Sequence, residues 1–257
     1  MSRTNSFRTR MLSGDLLAGT FVKTPHHVLI EVLAQSELDF LCLDAEHAPF
    51  DRSSLDACLA VANALDFPIL IRVGDNSPRE ILQALDYGAV GIVAPHIDTA
   101  EKAEDLARAA RFGLNGRGYA GSSRWASYAT QKMSDLLTKS KEETVVIAQI
   151  EEPRGVEEAE AIAAVNGIDG VFIGPADLSV GYGKTDQNSQ ELKDALQHVS
   201  TVAHKSHKAA MSFVPNAKKA RDWHEAYGLT MFFIASEHIW LRNGANQDAK
   251  GVHDISK

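Results

Sequence analysis

Cysteine, clustered basic residues and long apolar runs are all scarce in this sequence. Only Cys42 and Cys58 occur among 257 residues, and both lie near apolar runs. Two such residues are too few for the disulfide framework of a small secreted protein, and they are typical of buried thiols in a reducing compartment. Residues 1–14 contain three arginines but no apolar core, so we expect no signal peptide and a cytoplasmic protein.

Charge and hydropathy exclude two classes of partner. The net charge is −8 at pH 7 and no basic block occurs, which argues against nucleic acid as the main partner. No run approaches the roughly 18 apolar residues that a membrane-spanning helix needs, so we expect no membrane partner. An anionic substrate would require basic side chains concentrated at its site, because the average field is acidic.

The order of apolar runs predicts an α/β fold, a (β/α)8 TIM barrel formed by one domain over residues 1–257. The runs are apolar throughout and do not alternate with polar residues, which is typical of parallel strands covered on both faces. A helical pattern follows each run, and eight such pairs make the barrel. The predicted strands are 19–23, 39–44, 68–73, 91–95, 144–150, 170–174, 209–213 and 231–236.

Finer details of the helices and loops are also predicted. Ser53 is expected to cap a helix over 55–65, Pro78 to start the next helix, and Thr99 to cap the one after it. One helix is expected over 153–164. Three segments are predicted to lack regular structure: 112–128, 180–189 and 246–257. The first of them holds four glycines, and a loop of this length is usually functional or mobile.

Two carboxylates follow neighbouring strands of the predicted barrel. Glu151 follows the fifth strand and Asp177 follows the sixth, and working groups in such barrels lie at the carboxyl ends of the strands. Paired carboxylates at one edge suit a hard divalent cation. Glu152 competes with Glu151, because a shift of one residue would exchange the two. Each carboxylate alone would also suit the first turn of a helix or a turn after a strand.

The second and third strands end in groups suited to proton transfer and anion binding. His47 closes the segment 44–47, and an imidazole transfers protons readily near neutral pH. Asp44 could orient that ring. Taken by itself, His47 is more simply a loop histidine without a role, but its position at the carboxyl ends of the strands favours a function. Arg72 lies between Ile71 and Val73, so its guanidinium must pair with an anionic substrate or with a protein carboxylate. The strand-end residues His96, Glu237 and His238 have no predicted role.

Four segments, in this order, resemble the HpcH/HpaI aldolase family of class II pyruvate aldolases. They are LDAEHAP at 43–49, IRV at 71–73, QIE at 149–151 and GIDGVFIGPADLS at 167–179, of which the last is the most specific. The resemblance covers about residues 15–245. It differs from the family pattern around His96, in the loop 117–124 and at Glu237–His238, and these differences leave the substrate aldehyde open.

The resemblance implies a role for each matching residue of the catalytic set. His47 matches the catalytic base, Asp44 the carboxylate that supports it, and Arg72 the arginine that contacts the pyruvate moiety. Glu151 and Asp177 match the ligands of a divalent cation, Mg²⁺, Mn²⁺ or Co²⁺. The implied reaction cleaves or forms 4-hydroxy-2-oxo (2-keto-3-deoxy) acids, with pyruvate and an aldehyde as the other partners, through a metal-stabilised pyruvate enolate.

The same resemblance extends to the pocket and to the assembly. Gln149 matches a pocket residue near the metal, and the backbone at Ala176–Asp177 matches the turn that receives the substrate carboxylate. Family members are homohexamers, trimers of dimers, in which the last helix packs on a neighbouring barrel. We therefore expect a homo-oligomer.

Three alternatives remain open from the sequence. A Schiff-base aldolase needs a desolvated lysine, and Lys23 is the one lysine at a strand end. A CoA-ester lyase of the citrate lyase β type needs a basic track for phosphates, for which only Arg117 and Arg124 are available. The third alternative is a barrel that only binds small acids or builds an oligomer.

Overall fold

Eight parallel strands close into a barrel in which every strand pairs with its neighbours in the sequence, and β8 pairs with β1. The computed structural model describes residues 2–256. The strands β1–β8 are Leu17–Val22, Phe40–Asp44, Ile69–Arg72, Gly91–Ala94, Val145–Ile150, Gly170–Ile173, Ala209–Val214 and Met231–Ser236. Each lies within or close to its predicted range, so the (β/α)8 prediction is confirmed.

Within residues 2–256, twelve α-helices surround or cap the barrel, and none of them is long and apolar enough to cross a bilayer. Helices α1–α12 are Arg3–Leu12, His27–Leu33, Arg52–Ala64, Pro78–Asp86, Ala100–Ala110, Met133–Glu143, Pro153–Glu157, Ala159–Ala164, Pro175–Gly181, Gln190–Lys205, Ala217–Tyr227 and Glu237–His253. Helix α1 has no counterpart among the predicted elements.

The starts of the predicted helices follow from capping chemistry. Pro78 begins α4, and Thr99 caps α5 through a hydrogen bond from the Lys102 N–H, as predicted. The predicted cap at Ser53 is wrong. Asp51 caps α3 instead, because its carboxylate accepts from the Ser54 N–H at 2.7 Å while the Ser54 hydroxyl accepts from the Asp51 N–H at 3.0 Å.

Three other predictions about local structure need correction. The single helix over 153–164 is interrupted at Glu158, which separates α7 from α8. The segment 246–257 is not irregular, because α12 continues to His253. The predicted loop 180–189 begins inside α9, which ends at Gly181. The glycine-rich segment 112–128 does lack helices and strands, as expected.

Helix α1 closes the amino-terminal end of the barrel. Phe7 and Met11 on this helix are each only 1% exposed, and the Phe7 ring lies 5.5 Å from that of Phe40 inside the barrel. Inside the barrel, the centre of the Phe233 ring lies 4.9 Å from that of Phe40 and 4.8 Å from that of Phe172. The barrel interior is therefore a packed aromatic core, as is usual for this architecture.

Strand register determines which polar residues become neighbours at that open end. Asp44, the last residue of β2, is the register partner of Arg72, the last residue of β3. Ile150 of β5 is the partner of Ile173 of β6, so the residues that follow them, Glu151 and Gly174, are adjacent. Pairs that are far apart in sequence are thus brought together by parallel pairing.

Candidate active site

Asp44 is the most deeply buried carboxylate at the carboxyl end of the barrel, with no exposed surface. Its Oδ1 accepts from Arg72 Nε at 3.0 Å, and its Oδ2 lies 2.8 Å from Arg72 Nη2 and 3.0 Å from Lys23 Nζ. Burial alone would raise the pKa of this carboxyl, but the hydrogen bonds and charge of Arg72, with Lys23, lower it below its ordinary value. Asp44 is therefore ionised and forms ion pairs with the side chains of Arg72 and Lys23.

Arg72 is held on three sides. Besides Asp44, its Nε lies 3.2 Å from Glu46 Oε2, and its guanidinium carbon lies 4.5 Å above the centre of the Phe21 ring. Burial opposes the charge of Arg72, but the hydrogen bond and charge of Asp44, with Glu46, raise its pKa above the ordinary value. Arg72 thus makes the protein ion pairs that were one of its two predicted alternatives, and it also lines the cavity described below.

Glu151, and not Glu152, turns into the mouth of the barrel. The side chain of Glu151 is 2% exposed and that of Glu152 is 44% exposed. Glu151 Oε1 accepts from the His96 N–H at 2.8 Å, and Oε2 accepts from the Gln149 amide. A Cβ at Gly174 would lie 2.7 Å from that of Glu151, so only glycine leaves room for this carboxylate.

The pKa of Glu151 depends in part on Asp177, the other predicted metal ligand. Burial raises the pKa of Glu151, its hydrogen bonds lower it, and the charge of Asp177 raises it further, with a net increase. Asp177 itself is exposed in the first turn of α9. The charge of Asp177 thus acts on Glu151, but burial has the larger effect on the pKa of Glu151.

His96 is a residue of this site that was considered from the sequence without a role. It follows β4 with a φ of 57°, a left-handed conformation that costs energy for a non-glycine residue. Its Nε2 lies 3.5 Å from Glu46 Oε1, and its Nδ1 lies 3.3 Å from Glu151 Oε1 and 3.1 Å from Glu152 Oε1. The turn that aims His96 inward depends on its backbone conformation, which no strand-end pattern reveals.

Glu46, His96 and Glu151 form the donor set that best fits a metal ion. Each offers one ligand atom, and these atoms all lie within 4.8 Å of one another. Two carboxylates and an imidazole are common ligands of divalent cations, so the residues present fit the predicted cofactor. Glu151 belongs both to this set and to the predicted pair with Asp177.

His47 is placed beside this set but is not oriented by Asp44 as expected. The Asp44 carboxylate accepts from the backbone N–H of His47 at 3.2 Å, so it fixes the loop and not the ring. The His47 side chain is 57% exposed, and its Nε2 lies 3.9 Å from Glu46 Oε2. An exposed imidazole over a cavity is free to exchange protons with a bound molecule.

A cavity of about 360 Å³ is lined by most of the predicted site residues, but Asp44 and Glu151 are not in its wall. Its volume suits a small organic acid. The Oε1 atom of Gln149 in its wall is buried and, among residues 2–256, has no hydrogen-bond partner. That oxygen is available to a ligand hydroxyl or an ordered water. The polar and pocket residues of its wall include Lys23, His47, Arg72, Gln149, Ala176 and Asp177.

Glu237 and His238, which follow β8, form hydrogen bonds with the segment that follows β1. Glu237 is 2% exposed, and its Oε1 accepts from the backbone N–H groups of Lys23 and Thr24 at 2.8 and 2.7 Å. His238 Nε2 lies 2.9 Å from Thr24 Oγ1. These contacts fix the backbone beside Lys23 and so position one wall of the cavity.

The two arginines of the glycine-rich loop are used inside the protein. Arg117 is 4% exposed, forms an ion pair with Asp86, and stacks against Trp125 at 4.8 Å. Arg124 Nη2 lies 2.6 Å from Asp56. Neither arginine is free to form the basic track that a CoA ester would need.

Comparison with known proteins agrees with this geometry. The model of the HpcH/HpaI aldolase/citrate lyase family matches residues 17–237. The chain belongs to the HpcH/HpaI aldolase/citrate lyase family. The predicted resemblance is thereby confirmed, and with it the prediction of a carbon–carbon lyase.

Members of the family resemble the chain over almost its whole length. The hydroxypyruvate/pyruvate aldolase of Roseovarius nubinhibens is 34% identical over 252 residues, which is 95% of each chain. The 5-keto-4-deoxy-D-glucarate aldolase of Klebsiella pneumoniae is 32% identical over 235 residues, 91% of each chain. The crystal structure of a family protein from Burkholderia cenocepacia matches with a TM-score of 0.91 at 30% identity, covering 97% of this chain and 100% of that one.

Proposed function

We propose that this protein is a class II pyruvate aldolase that cleaves or forms 4-hydroxy-2-oxo acids, with pyruvate and an aldehyde as the other partners. One observation supports the proposal most: Arg72, His47 and Gln149 line a single small cavity at the carboxyl end of the barrel, and the Gln149 amide donates to Glu151. The class of reaction agrees with the two aldolases named above. Which aldehyde is accepted depends on the cavity wall.

The proposed cofactor is a divalent cation, Mg²⁺, Mn²⁺ or Co²⁺, held by Glu151 and Asp177 next to Glu46 and His96. When bound, such an ion supplies Lewis-acid stabilisation of the negative charge that develops on the pyruvate unit. Gly174 leaves the space that Glu151 needs in order to reach this position.

The residues of the chain have separate tasks in the proposed reaction. Arg72, fixed by Asp44, attracts the carboxylate and 2-oxo group of the substrate and favours negative charge there. His47 takes the proton from the C4 hydroxyl while the bond between C3 and C4 breaks. The aldehyde leaves, and a proton returned to C3 of the resulting enolate gives pyruvate. The first turn of α9 at Ala176–Asp177 offers backbone N–H groups to the substrate carboxylate.

Pyruvate release from a 4-hydroxy-2-oxo acid, coupled to lactate dehydrogenase, tests the proposal. We expect turnover that EDTA abolishes and Mn²⁺ restores. His47→Gln should lower turnover by about 100-fold or more and leave the melting temperature unchanged, because the ring is exposed. His207→Gln, at an exposed histidine of the loop before β7, is the matched control. Near-wild-type turnover by His47→Gln would remove His47 from the mechanism.

Borohydride separates the proposal from the Schiff-base alternative. Lys23 Nζ lies 3.0 Å from the Asp44 carboxylate, so this lysine is already held in an ion pair within the protein. Sodium borohydride added with pyruvate should therefore leave activity intact. Inactivation with a mass increase at Lys23 would favour the lysine mechanism, and turnover of malyl or citramalyl thioesters alone would favour the CoA-ester lyase.

The proposed assembly is a homohexamer, a trimer of dimers of single-domain subunits in which α12 packs on a neighbouring barrel. Only Glu237 of this helix is buried, whereas Leu241 and Val252 are 62% and 65% exposed. We also propose a cytoplasmic location, supported by Cys42 and Cys58, which are both free and buried. Light scattering of the purified protein tests the assembly, and a monomer at micromolar concentration would contradict it.

A further inference from the structure

A second charged cavity, of about 440 Å³, lies at the amino-terminal end of the barrel, away from the catalytic residues. Asp169, which immediately precedes β6, is buried in its wall. This residue belongs to the segment 167–179 that carries the family resemblance, yet its place is opposite that of Asp177 at the other end of β6. The proposed aldolase chemistry leaves it without a role.

The cavity wall carries more positive than negative charge. Four cations line it, Arg8, Arg111, Lys141 and Lys208, against the single carboxylate of Asp169. Within residues 2–256 no other acidic side chain lines this cavity. An excess of three positive charges is unusual in a protein whose net charge is −8.

Asp169 cannot compensate for this excess, because its acceptor capacity is already used. Its Oδ1 accepts from Arg8 Nε and Nη2 at 3.1 and 2.6 Å, and its Oδ2 accepts from Arg111 Nη2 and the Val146 N–H, both at 2.9 Å. The Lys208 ammonium donates to a backbone carbonyl, that of Ile168, at 2.8 Å. Its charge is therefore not neutralised by a hydrogen-bonded carboxylate.

The protein environment opposes these charges. Burial lowers the pKa of Lys208; Asp169 partly restores it, and Arg8 lowers it again, with a net decrease. Arg111 shows the same direction, with burial as the main cause and repulsion by Arg8 as a further one. A bound anion stabilises cations that are desolvated and repel one another, because it offsets both effects.

An uncompensated polar atom lies in the same wall. Ser140 lines the cavity and is 2% exposed, and its hydroxyl oxygen has no hydrogen-bond partner in the part of the chain that the structure describes. Buried hydroxyl groups are nearly always hydrogen-bonded, so an absent partner requires an explanation. A ligand or a ligand-ordered water at this wall provides one.

We propose that this cavity binds a small phosphate-bearing anion. Planar guanidinium groups such as those of Arg8 and Arg111 match the geometry of phosphate oxygens, and an ammonium group such as that of Lys208 adds a point charge. Three excess positive charges suit a ligand that carries at least two negative ones. The volume accommodates a phosphorylated metabolite of a few carbon atoms as well as free phosphate. The cavity is thus a second binding site, at the opposite end of the barrel from the catalytic cavity.

Calorimetric titration of the full-length protein with inorganic phosphate and with glycerol 3-phosphate tests this proposal. We expect binding that Lys208→Gln weakens by about tenfold or more, the usual worth of a charged hydrogen bond. Lys218→Gln, at an 86% exposed lysine of α11, is the matched control and should bind as the wild type does. Tighter binding of glycerol 3-phosphate than of phosphate would identify a phosphorylated metabolite as the ligand, and equal binding would identify free phosphate.

Two further variants keep the test decisive. Ser140→Ala removes the hydroxyl without changing charge and should weaken binding severalfold even if Lys208→Gln fails to fold. Arg72→Lys reports on the catalytic cavity and should leave this phosphate binding unchanged. The proposal is overturned if phosphate does not bind at millimolar concentration, if only Arg72→Lys weakens it, or if a dicarboxylate such as malonate binds and phosphate does not. None of these outcomes depends on aldolase turnover.

Discussion

The two ends of the barrel use buried carboxylates in opposite ways. At the amino-terminal end, both oxygens of Asp169 are filled by four hydrogen bonds from Arg8, Arg111 and the Val146 N–H. At the carboxyl-terminal end, the oxygens of Glu151 accept from neutral donors, the His96 N–H and the Gln149 amide, and ligand atoms of Glu46 and His96 lie within 4.8 Å of Glu151. The first arrangement stabilises the fold, and the second keeps atoms available for a ligand.

This difference shows that burial alone does not mark a functional carboxylate. Asp169 and Glu151 are 4% and 3% exposed, so exposure does not separate them. They differ in what their oxygen atoms contact. Two arginines surround Asp169, whereas Glu151 accepts from neutral donors, and burial, with the charge of Asp177 as a smaller cause, raises the pKa of Glu151. A carboxylate whose pKa is raised at the mouth of the barrel is a candidate functional group.

The largest expected effect comes from neutralising Glu151. Glu151→Gln keeps an oxygen for the His96 N–H but removes a charge that the proposed cation would need, so turnover should fall by about 1,000-fold. The melting temperature should stay close to the wild-type value. Coupled pyruvate assays and calorimetry measure the two quantities. Glu152→Gln, at the neighbouring, partly exposed carboxylate, should retain most activity. Equal losses for both variants would contradict a special role for Glu151.

Neutralising Asp169 should have the reverse consequence. Asp169→Asn leaves Arg8 and Arg111 without their anion, so the free energy of unfolding should fall by about 3 kcal/mol. The folded fraction should keep a turnover within a few-fold of the wild type. Urea unfolding followed by circular dichroism measures the loss. Asp105→Asn, at an exposed ion pair with Arg108, should cost less than about 1 kcal/mol.

The pH dependence of stability tests the contribution of the Asp44 ion pairs to the folded state. Its folded pKa lies below the ordinary value, so it contributes stability above about pH 4 that is lost as pH falls through the folded pKa. The free energy of unfolding should therefore decrease on acidification below about pH 4. Asp44→Asn should lower stability at pH 7 by about 2 kcal/mol and flatten this slope.

Urea unfolding at several pH values between about 3 and 7 measures this effect. Asp248→Asn, at an exposed aspartate of α12, serves as the control and should leave the slope unchanged. If the free energy of unfolding of Asp44→Asn depended on pH as steeply as that of the wild type, Arg72 and Lys23 would not be lowering the pKa of Asp44.

The smallest expected effect concerns metal preference. His96 adds a nitrogen donor beside Glu46 and Glu151, and imidazole favours Co²⁺ and Zn²⁺ more than Mg²⁺. His96→Gln should therefore weaken Co²⁺ binding by about tenfold and change Mg²⁺ binding little. Calorimetry and the visible spectrum of bound Co²⁺ report this change. His238→Gln, at another rim histidine, is the control, and equal Co²⁺ affinity for both variants would remove His96 from the donor set.

The barrel was predictable because its signal is local and repeated. Each strand is a short apolar run, and each helix follows at once. Helix α1 was not predicted, because its burial of Phe7 and Met11 depends on the closed barrel beneath it. The length of helix α12 was underestimated for a different reason. Its polar sequence between Asn246 and His253 buries no side chain, so no amphipathic pattern marks that part of the helix.

The site was predictable where residues follow strands directly and less so where loop geometry decides. Asp44, Arg72 and Glu151 are located by strand ends and register. Glu46 and His96 enter the site because a turn and a left-handed backbone bring them inward, which the order of residues does not reveal. The role of Asp44 at the His47 backbone likewise depends on the shape of the loop.

A crystal of the protein soaked with Mn²⁺ and oxalate, a mimic of the pyruvate enolate, tests the central claim most directly. We expect one anomalous peak at the carboxyl end of the barrel, between Glu151 and Asp177, with oxalate reaching toward Arg72. A peak elsewhere, or none at that end of the barrel, would contradict the account.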